Sequence, residues 1–449
     1  MLRPTSILPV PWVRRWRWSA TAVAGVLPFV GVPPAGARTA GPELIASAEP
    51  GWPQFRGPRR DGVSDERGLL PEWPEGGPGV LWSTTGVGRG YSSPVIAGGR
   101  WFITGDFNDE TRVLAFDLAG KPLWSARNGA AWLNQYPGAR ASVACSAGKV
   151  YHQNSHGRVV CLDAATGREE WAVELLQAFG GENITWGLSE CLVVDEHHVY
   201  ATAGGREALV VALEKSTGKV QWKSAPLLDR EAGDRVEHPG YGPPILVRFA
   251  GRRLIIGTSE RHLYCVDADT GVLQWTRHRP TNYAVLATMP TLVGEGVFMA
   301  APYGPPATVH RLIPPAPGAG RVGVEDGWTA NLDTCQGGVV HAAGRVFGSY
   351  YRSAKGWVAL DAGTGTILYT APEFAKGSAL HADGRLYVLC EDGWVLLVDS
   401  AAPRFEIKGR FRLPNVRGRD AWAHPVLLDG RLYLRYHDTV TCHDVRARP

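Results

Sequence analysis

Short runs of alternating apolar and polar residues recur along most of the chain, each closed by a turn of Asp, Thr and Gly. The clearest is Leu263-Tyr264-Cys265-Val266-Asp267, followed by Ala268-Asp269-Thr270-Gly271 and then Val272-Leu273-Gln274-Trp275. A period of two predicts a strand with every second residue buried. Asp at the strand end accepts from its own backbone two residues on and starts a turn. Gly supplies the positive φ that closes a short hairpin with a bulge. The return strand ends on a large aromatic ring. The same hairpin is predicted at Val160 to Trp171, with Asp163, Thr166 and Gly167. It recurs at Val211 to Trp222, where Glu214 replaces the Asp, and at Val358 to Tyr369, with Asp361, Thr364 and Gly365. A shortened copy runs from Leu114 through Asp117 and Gly120 to Trp124.

A lone hairpin is marginal in water, so these units must pack on one another. A phrase returning at intervals of about 40–50 residues marks a repeat architecture, and radial packing is its closed β form. The terminal aromatic then covers the gap to the next sheet and buries roughly 150–250 Å². Trp82, Trp124, Trp171, Trp222, Trp275, Trp328, Tyr369 and Phe411 hold this docking position. Whole repeats are expected over 91–125, 140–175, 186–224, 241–277, 284–333, 336–374 and 376–413. The eighth, 422–445, has only three strands, whereas Val80-Leu81-Trp82-Ser83 is a strand without a sheet. Pairing the two closes the ring and removes two exposed edges. The expectation is an all-β, eight-bladed propeller of four-stranded antiparallel blades, closed by strands from both termini. Seven blades compete if the fifth repeat, with Pro314-Pro315-Ala316-Pro317, is only an insert.

The flanks differ in kind. Residues 1–37 read as an export signal, with basic Arg14, Arg15 and Arg17, an apolar run from Ser19 to Val32 broken by Pro28, and Ala35-Gly36-Ala37 for cleavage. The run is short for a bilayer span, so the mature chain is expected to lack a transmembrane segment and to reside in the periplasm or outside the cell. The residues flanking Arg14-Arg15 fit a twin-arginine signal poorly. Residues 38–78 are rich in Pro and Gly and read as an extended arm, anchored by Trp52 and Phe55 within Trp52-Pro53-Gln54-Phe55-Arg56-Gly57-Pro58. The propeller is expected over 79–449.

Composition agrees: 55 Gly and 17 Trp in 449 residues suit many turns and many docking rings. A net charge of +4 and the lack of a basic run after residue 20 argue against nucleic acid. The seven cysteines contain no C-x-x-C pair and are odd in number, so they read as small buried apolar residues, not a disulfide framework or a zinc site. No P-loop, G-x-S-x-G or H-E-x-x-H occurs. No local spacing assembles a metal-ligand set. A monomer is expected.

In a propeller the innermost strands line the channel, so polar and aromatic residues at their starts are the binding candidates. They are Tyr91, Ser92, Arg140, Trp186, Glu190, Tyr241, Gln336, Lys376, Asp420, Trp422 and His424. Charges near an axis need a partner or water, and a wet rim is the plainer reading of them. His424 precedes Pro425, which holds its backbone extended and suits packing better than catalysis.

At the Asp-Ala-x-Thr-Gly-x-x-x-Trp phrase the chain resembles the quinoprotein-like, or PQQ-like, repeat propellers, over about residues 50–446. It resembles in particular exported members with a W-x-Q-F-R-G-P leader, which carry stretches similar to Trp186–Trp222, Gly337–Val340 and Ala421–Val426. That family includes quinone-dependent alcohol dehydrogenases and the non-catalytic outer-membrane assembly factor BamB. On the enzyme side the resemblance implies pyrroloquinoline quinone, a calcium ion and an Asp base that oxidise an alcohol or sugar, often beside adjacent cysteines. This chain has no Cys-Cys pair and no haem C-x-x-C-H. The expectation is therefore a binding or scaffold protein that takes a protein or small-molecule ligand at its channel face, with a dehydrogenase as the alternative.

Overall fold

The structure, a computed structural model, describes residues 40–316 and 318–447. The export signal and its cleavage site lie outside the described residues. Eight antiparallel sheets follow in chain order. Seven are continuous in sequence, with strands within 95–130, 144–174, 193–223, 245–278, 291–330, 339–371 and 377–412. The eighth is built from Val426–Leu428, Arg431–Tyr436, Thr439–Asp444 and Val80–Thr85. Here Val80 lies opposite His443, Trp82 opposite Cys442 and Thr85 opposite Thr439, so the two ends of the chain share one blade. The fifth blade has four strands, Thr291–Val293, Gly296–Met299, Ala307–Ile313 and Gly323–Ala330. With four paired strands the fifth repeat is a full blade, and the seven-blade alternative falls.

The repeated phrase carries out two tasks at once. Within a blade, Asp163 Oδ1 accepts from the Ala165 N–H at 3.1 Å, the Thr166 N–H at 3.0 Å and the Thr166 hydroxyl at 2.9 Å. Asp267 with Thr270 and Asp361 with Thr364 repeat this turn. A one-residue bulge next to the docking position, as between Glu169 and Trp171, aims the ring outward toward the neighbouring blade. Between blades, five of the indoles lie flat on the turn of the next sheet. Trp82 donates to the Leu118 carbonyl at 3.0 Å, Trp124 to Ala164 at 3.1 Å, Trp171 to Lys215 at 3.1 Å, Trp222 to Ala268 at 3.0 Å and Trp328 to Ala362 at 3.1 Å. The turn glycine sits under the ring: a Cβ at Gly218 would stand 2.7 Å from Trp171. Glycine is thus required twice, for its φ of +72° and for the approach of the ring. Trp171, Trp275 and Phe411 are buried, while Trp222 and the other docking rings are half-buried. Among the described residues the Trp275 indole N–H has no partner, and the fifth blade lacks the Asp-x-x-Thr-Gly turn of the repeated phrase.

The seam between the last blade and the first is locked by Arg435, which is fully buried. Its guanidinium donates to the carbonyls of His437 at 2.7 Å, Ser92 at 3.1 Å, Thr104 at 2.8 Å and Gly88 at 3.0 Å. Burial lowers its pKa to about 9. All seven cysteines are free thiols, six of them buried and five of those within strands.

Candidate functional site

The channel has two unlike ends. At the end where the innermost strands finish, residues 43–70 run from blade to blade. Glu43–Leu44 pair with the first strand of blade 4, Ile245–Phe249. Trp52 exchanges backbone hydrogen bonds with Ile96 of blade 1, at 2.9 Å each way. The Pro53 carbonyl accepts from Cys145 of blade 2 at 2.7 Å, and Ser64 donates to His381 of blade 7 at 2.8 Å. Glu66 accepts from the N–H groups of Asp429 and Gly430 in blade 8, both at 2.7 Å.

Two arginines of this segment enter the ring itself. Arg60 is only 3% exposed. It donates to Pro244 O at 3.0 Å, Leu192 O at 3.0 Å, Cys191 O at 2.8 Å and Gln54 Oε1 at 3.2 Å. Arg56, equally buried, donates to the carbonyls of Val339 at 2.5 Å and Asp61 at 2.8 Å. Carbonyl oxygens converge at the core of any propeller, because every inner strand leaves acceptors there. Guanidinium forks satisfy several of them at once. Burial lowers both arginines to a pKa of about 10, which leaves them charged at neutral pH.

The other end, where the innermost strands begin, is walled by aromatic rings and cations. Tyr91 lies 4.9 Å from Trp422, and Tyr136 lies 5.3 Å from the same indole. The Arg140 guanidinium stands over Trp132 at 5.3 Å and Tyr91 at 5.9 Å. It is held there by the carbonyls of Trp186 at 2.7 Å, Gly138 at 2.7 Å, Tyr136 at 2.9 Å and Gln135 at 3.2 Å. Burial lowers its pKa to about 10. Trp186 donates through its indole to Gln135 Oε1 at 3.0 Å, and its backbone N–H donates to the Tyr241 hydroxyl at 3.3 Å. Burial pushes that phenol up to about 12. Across the mouth, Lys376 pairs with Glu391 at 2.9 Å and lies 5.2 Å from the Tyr351 ring, while Arg352 stands 5.0 Å from Tyr303. Asp420 bonds His437 at 2.8 Å and the Tyr436 hydroxyl at 3.1 Å.

Glu190 and His424 lie beneath this rim, buried. Glu190 accepts from the Thr202 N–H at 3.0 Å, and desolvation pushes its carboxyl up to about 7. His424 is held by the Gln336 carbonyl at 3.0 Å and meets the Phe55 ring edge-on at 4.8 Å. Desolvation and nearby Arg56 lower its pKa to about 3, so the imidazole is neutral. Gln336 therefore contributes its main chain to packing.

The profile described as "Outer membrane protein assembly factor BamB" matches residues 63–207 and 184–309, together more than half of the chain. The chain belongs to the PQQ-like propeller family. No curated protein matches its sequence. The fold is similar to that of the quinohemoprotein alcohol dehydrogenase from Comamonas testosteroni, at a TM-score of 0.60 and 13% identity over 89% of this chain and 81% of that one. It is also similar to BamB from Moraxella catarrhalis, at a TM-score of 0.51 and 16% identity over 77% of this chain and 95% of that one. At these identities the likeness is one of fold alone.

Among the described residues of this mouth, the carboxylates are engaged by other side chains and are not gathered into the oxygen-rich cradle that a calcium–quinone pair calls for. Asp420 and Glu391 are committed to His437 and to Lys376 and Arg419, and Glu190 is buried with its charge disfavoured. The recess bounded by Thr334, Gln336, Lys376, Glu391 and Trp422 is narrow, with room for about one water.

Sequence reasoning missed Trp132, Gln135 and Tyr136. Their loop, Trp132-Leu133-Asn134-Gln135-Tyr136, has no strand period, and aromatic residues in a loop were the available signal. It also missed the entry of Arg56 and Arg60 into the ring, although both flank the Gly57-Pro58 turn.

Proposed function

We propose that this PQQ-like propeller is an exported, non-catalytic binding protein that engages its partner through the aromatic and cationic mouth. The observation that carries the reading is Arg140 fixed between Trp132 and Tyr91, with Tyr136 54% exposed beside Trp422. Aromatic rings offer large contact area at little entropy cost, and rings with arginine are typical of interface hot spots. The opposite end is already occupied by the chain's own residues, which leaves this face for a partner. A protein chain is the partner class favoured, since the surface is a broad rim and not a deep pocket. No helix among the described residues is long and apolar enough to cross a membrane. The leader expected from the sequence of residues 1–37 supports a periplasmic or external location.

A photo-crosslinking residue at Tyr136 should capture a discrete partner in cells. One at Val220, on an outer strand, should not, and Trp422→Ala should abolish the Tyr136 adduct. Equal adducts at both positions would refute the reading. Titration with pyrroloquinoline quinone and calcium should give neither saturable binding nor dye-linked oxidation of alcohols. Binding with turnover would restore the dehydrogenase alternative.

A further inference from the structure

An insertion between blades 3 and 4 folds into a small hairpin, Leu228–Asp229 against Arg235–Val236, outside the sheets of the ring. It brings Asp229 to the edge of blade 4. There His262, which opens the third strand, lies directly opposite His278, which ends the fourth. Residues paired across strands share one face of the sheet, and the two imidazoles stand 4.9 Å apart. One ligand atom from each of Asp229, His262 and His278 falls within 4.8 Å of the others.

Each imidazole also has a carboxylate at its Nδ1. Glu237 Oε2 lies 3.3 Å from His262 Nδ1, and Glu231 Oε2 lies 2.9 Å from His278 Nδ1. A carboxylate beside Nδ1 favours a proton on that nitrogen and a free lone pair on Nε2, the form that binds a metal, although at His262 the contact is one of charge and not a formed hydrogen bond. His278 Nε2 lies 3.8 Å from Asp229 Oδ1, which also accepts from the N–H groups of Glu231 and Ala232. Two ligand atoms about 2 Å from one tetrahedral ion stand ~3.3 Å apart, so a small side-chain rotation closes the set.

A second observation is independent of this geometry. Glu237 is fully buried, and among the described residues its Oε1 has no hydrogen-bond partner. A buried carboxylate is costly unless nearby positive charge offsets it. Asp229, Glu231 and Glu237 bring three negative charges, and Arg261, 3.1 Å from Asp229 Oδ2, returns one. The nearby Arg235–Glu260 pair is neutral in sum. One divalent cation balances the remainder.

We propose that Asp229, His262 and His278 bind a divalent transition ion of the zinc class, with Glu237 and Glu231 as the orienting carboxylates. The fourth position is open to water. Imidazole ligands favour zinc, cobalt or nickel over calcium or magnesium. The ion would staple the inserted hairpin to two strands of blade 4.

Untagged protein stripped with a chelator should take up one Zn²⁺ per chain in competition with a micromolar chromophoric chelator. Co²⁺ should give d–d bands without a thiolate charge-transfer band. Zn²⁺ should protect the exposed turn at Asp234 from proteolysis. His278→Ala should abolish binding, and Glu231→Gln, an exposed and mild change, should weaken it by about 10–100-fold. Failure of the wild type to hold Zn²⁺, a thiolate band that moves the ion to a cysteine, or unchanged affinity in both variants would overturn the site. Preference for Ca²⁺ would overturn it as well.

Discussion

If the docking indole is what makes glycine necessary in the repeated turn, two glycines of identical backbone should respond very differently to one methyl group. Gly148 and Gly218 both have a φ of +72°. A Cβ at Gly148 would meet nothing within 4 Å, whereas at Gly218 it would stand 2.7 Å from Trp171. Alanine pays about 1–2 kcal/mol for the left-handed conformation at either position. At Gly218 the methyl must also push the ring from its seat and stretch the bond from the Trp171 indole to the Lys215 carbonyl. Overpacking of this kind costs about 1–3 kcal/mol. Gly148→Ala should therefore cost about 1–2 kcal/mol and Gly218→Ala about 2–5 kcal/mol. Trp171→Ala alone should cost on the order of 3–5 kcal/mol. In the Trp171→Ala background the obstacle is gone, so Gly218→Ala should fall back to the Gly148→Ala value. Urea unfolding followed by far-UV circular dichroism reads all four variants, and the double-mutant cycle isolates the contact. Equal losses for the two glycines, or an undiminished Gly218→Ala loss without Trp171, would refute the docking account.

Deletion of residues 79–86 should destabilise the whole ring and promote self-association through the bared strand Thr439–Asp444, visible as a lower unfolding midpoint and a larger species in light scattering. Arg60→Met should free the N-terminal segment: three carbonyls and Gln54 lose their buried donor, for a loss of about 3–5 kcal/mol and faster proteolysis between residues 43 and 70. Glu190 is raised from the usual 4.5 to about 7, so the native state keeps a proton that the unfolded chain releases between those values. Stability should fall by about 3 kcal/mol as pH rises through that window, and Glu190→Gln should flatten the slope in pH-resolved denaturant curves. The secreted form should begin near Arg38, which intact-mass measurement checks directly.

The strands, the turns and the docking rings were legible in the chain because each is coded within about a dozen residues. Asp267, Thr270 and Gly271 satisfy one another locally, and Trp275 follows at a fixed interval. Period and turn chemistry need no knowledge of the rest of the fold. Closure was legible too, since one orphan strand and one incomplete sheet leave a single way to satisfy both edges. The fifth blade kept its strands although its phrase had decayed, because pairing with neighbours does not require the motif.

What lies at the axis and at the rim was not legible. Arg56 reaches Val339 and Arg60 reaches Leu192, groups far apart in sequence that meet only when the ring closes. Tyr91 and Trp422 sit at opposite ends of the propeller sequence, and the seam locked by Arg435 makes them neighbours. His262 and His278 become a pair through strand register, and Asp229 joins them from an insertion that carries no repeat signal. Hydrophobic alternation and turn residues act over a few positions and so appear in the chain itself. Convergence of side chains depends on the curvature and register of the assembled sheets, and the tertiary structure alone supplies those.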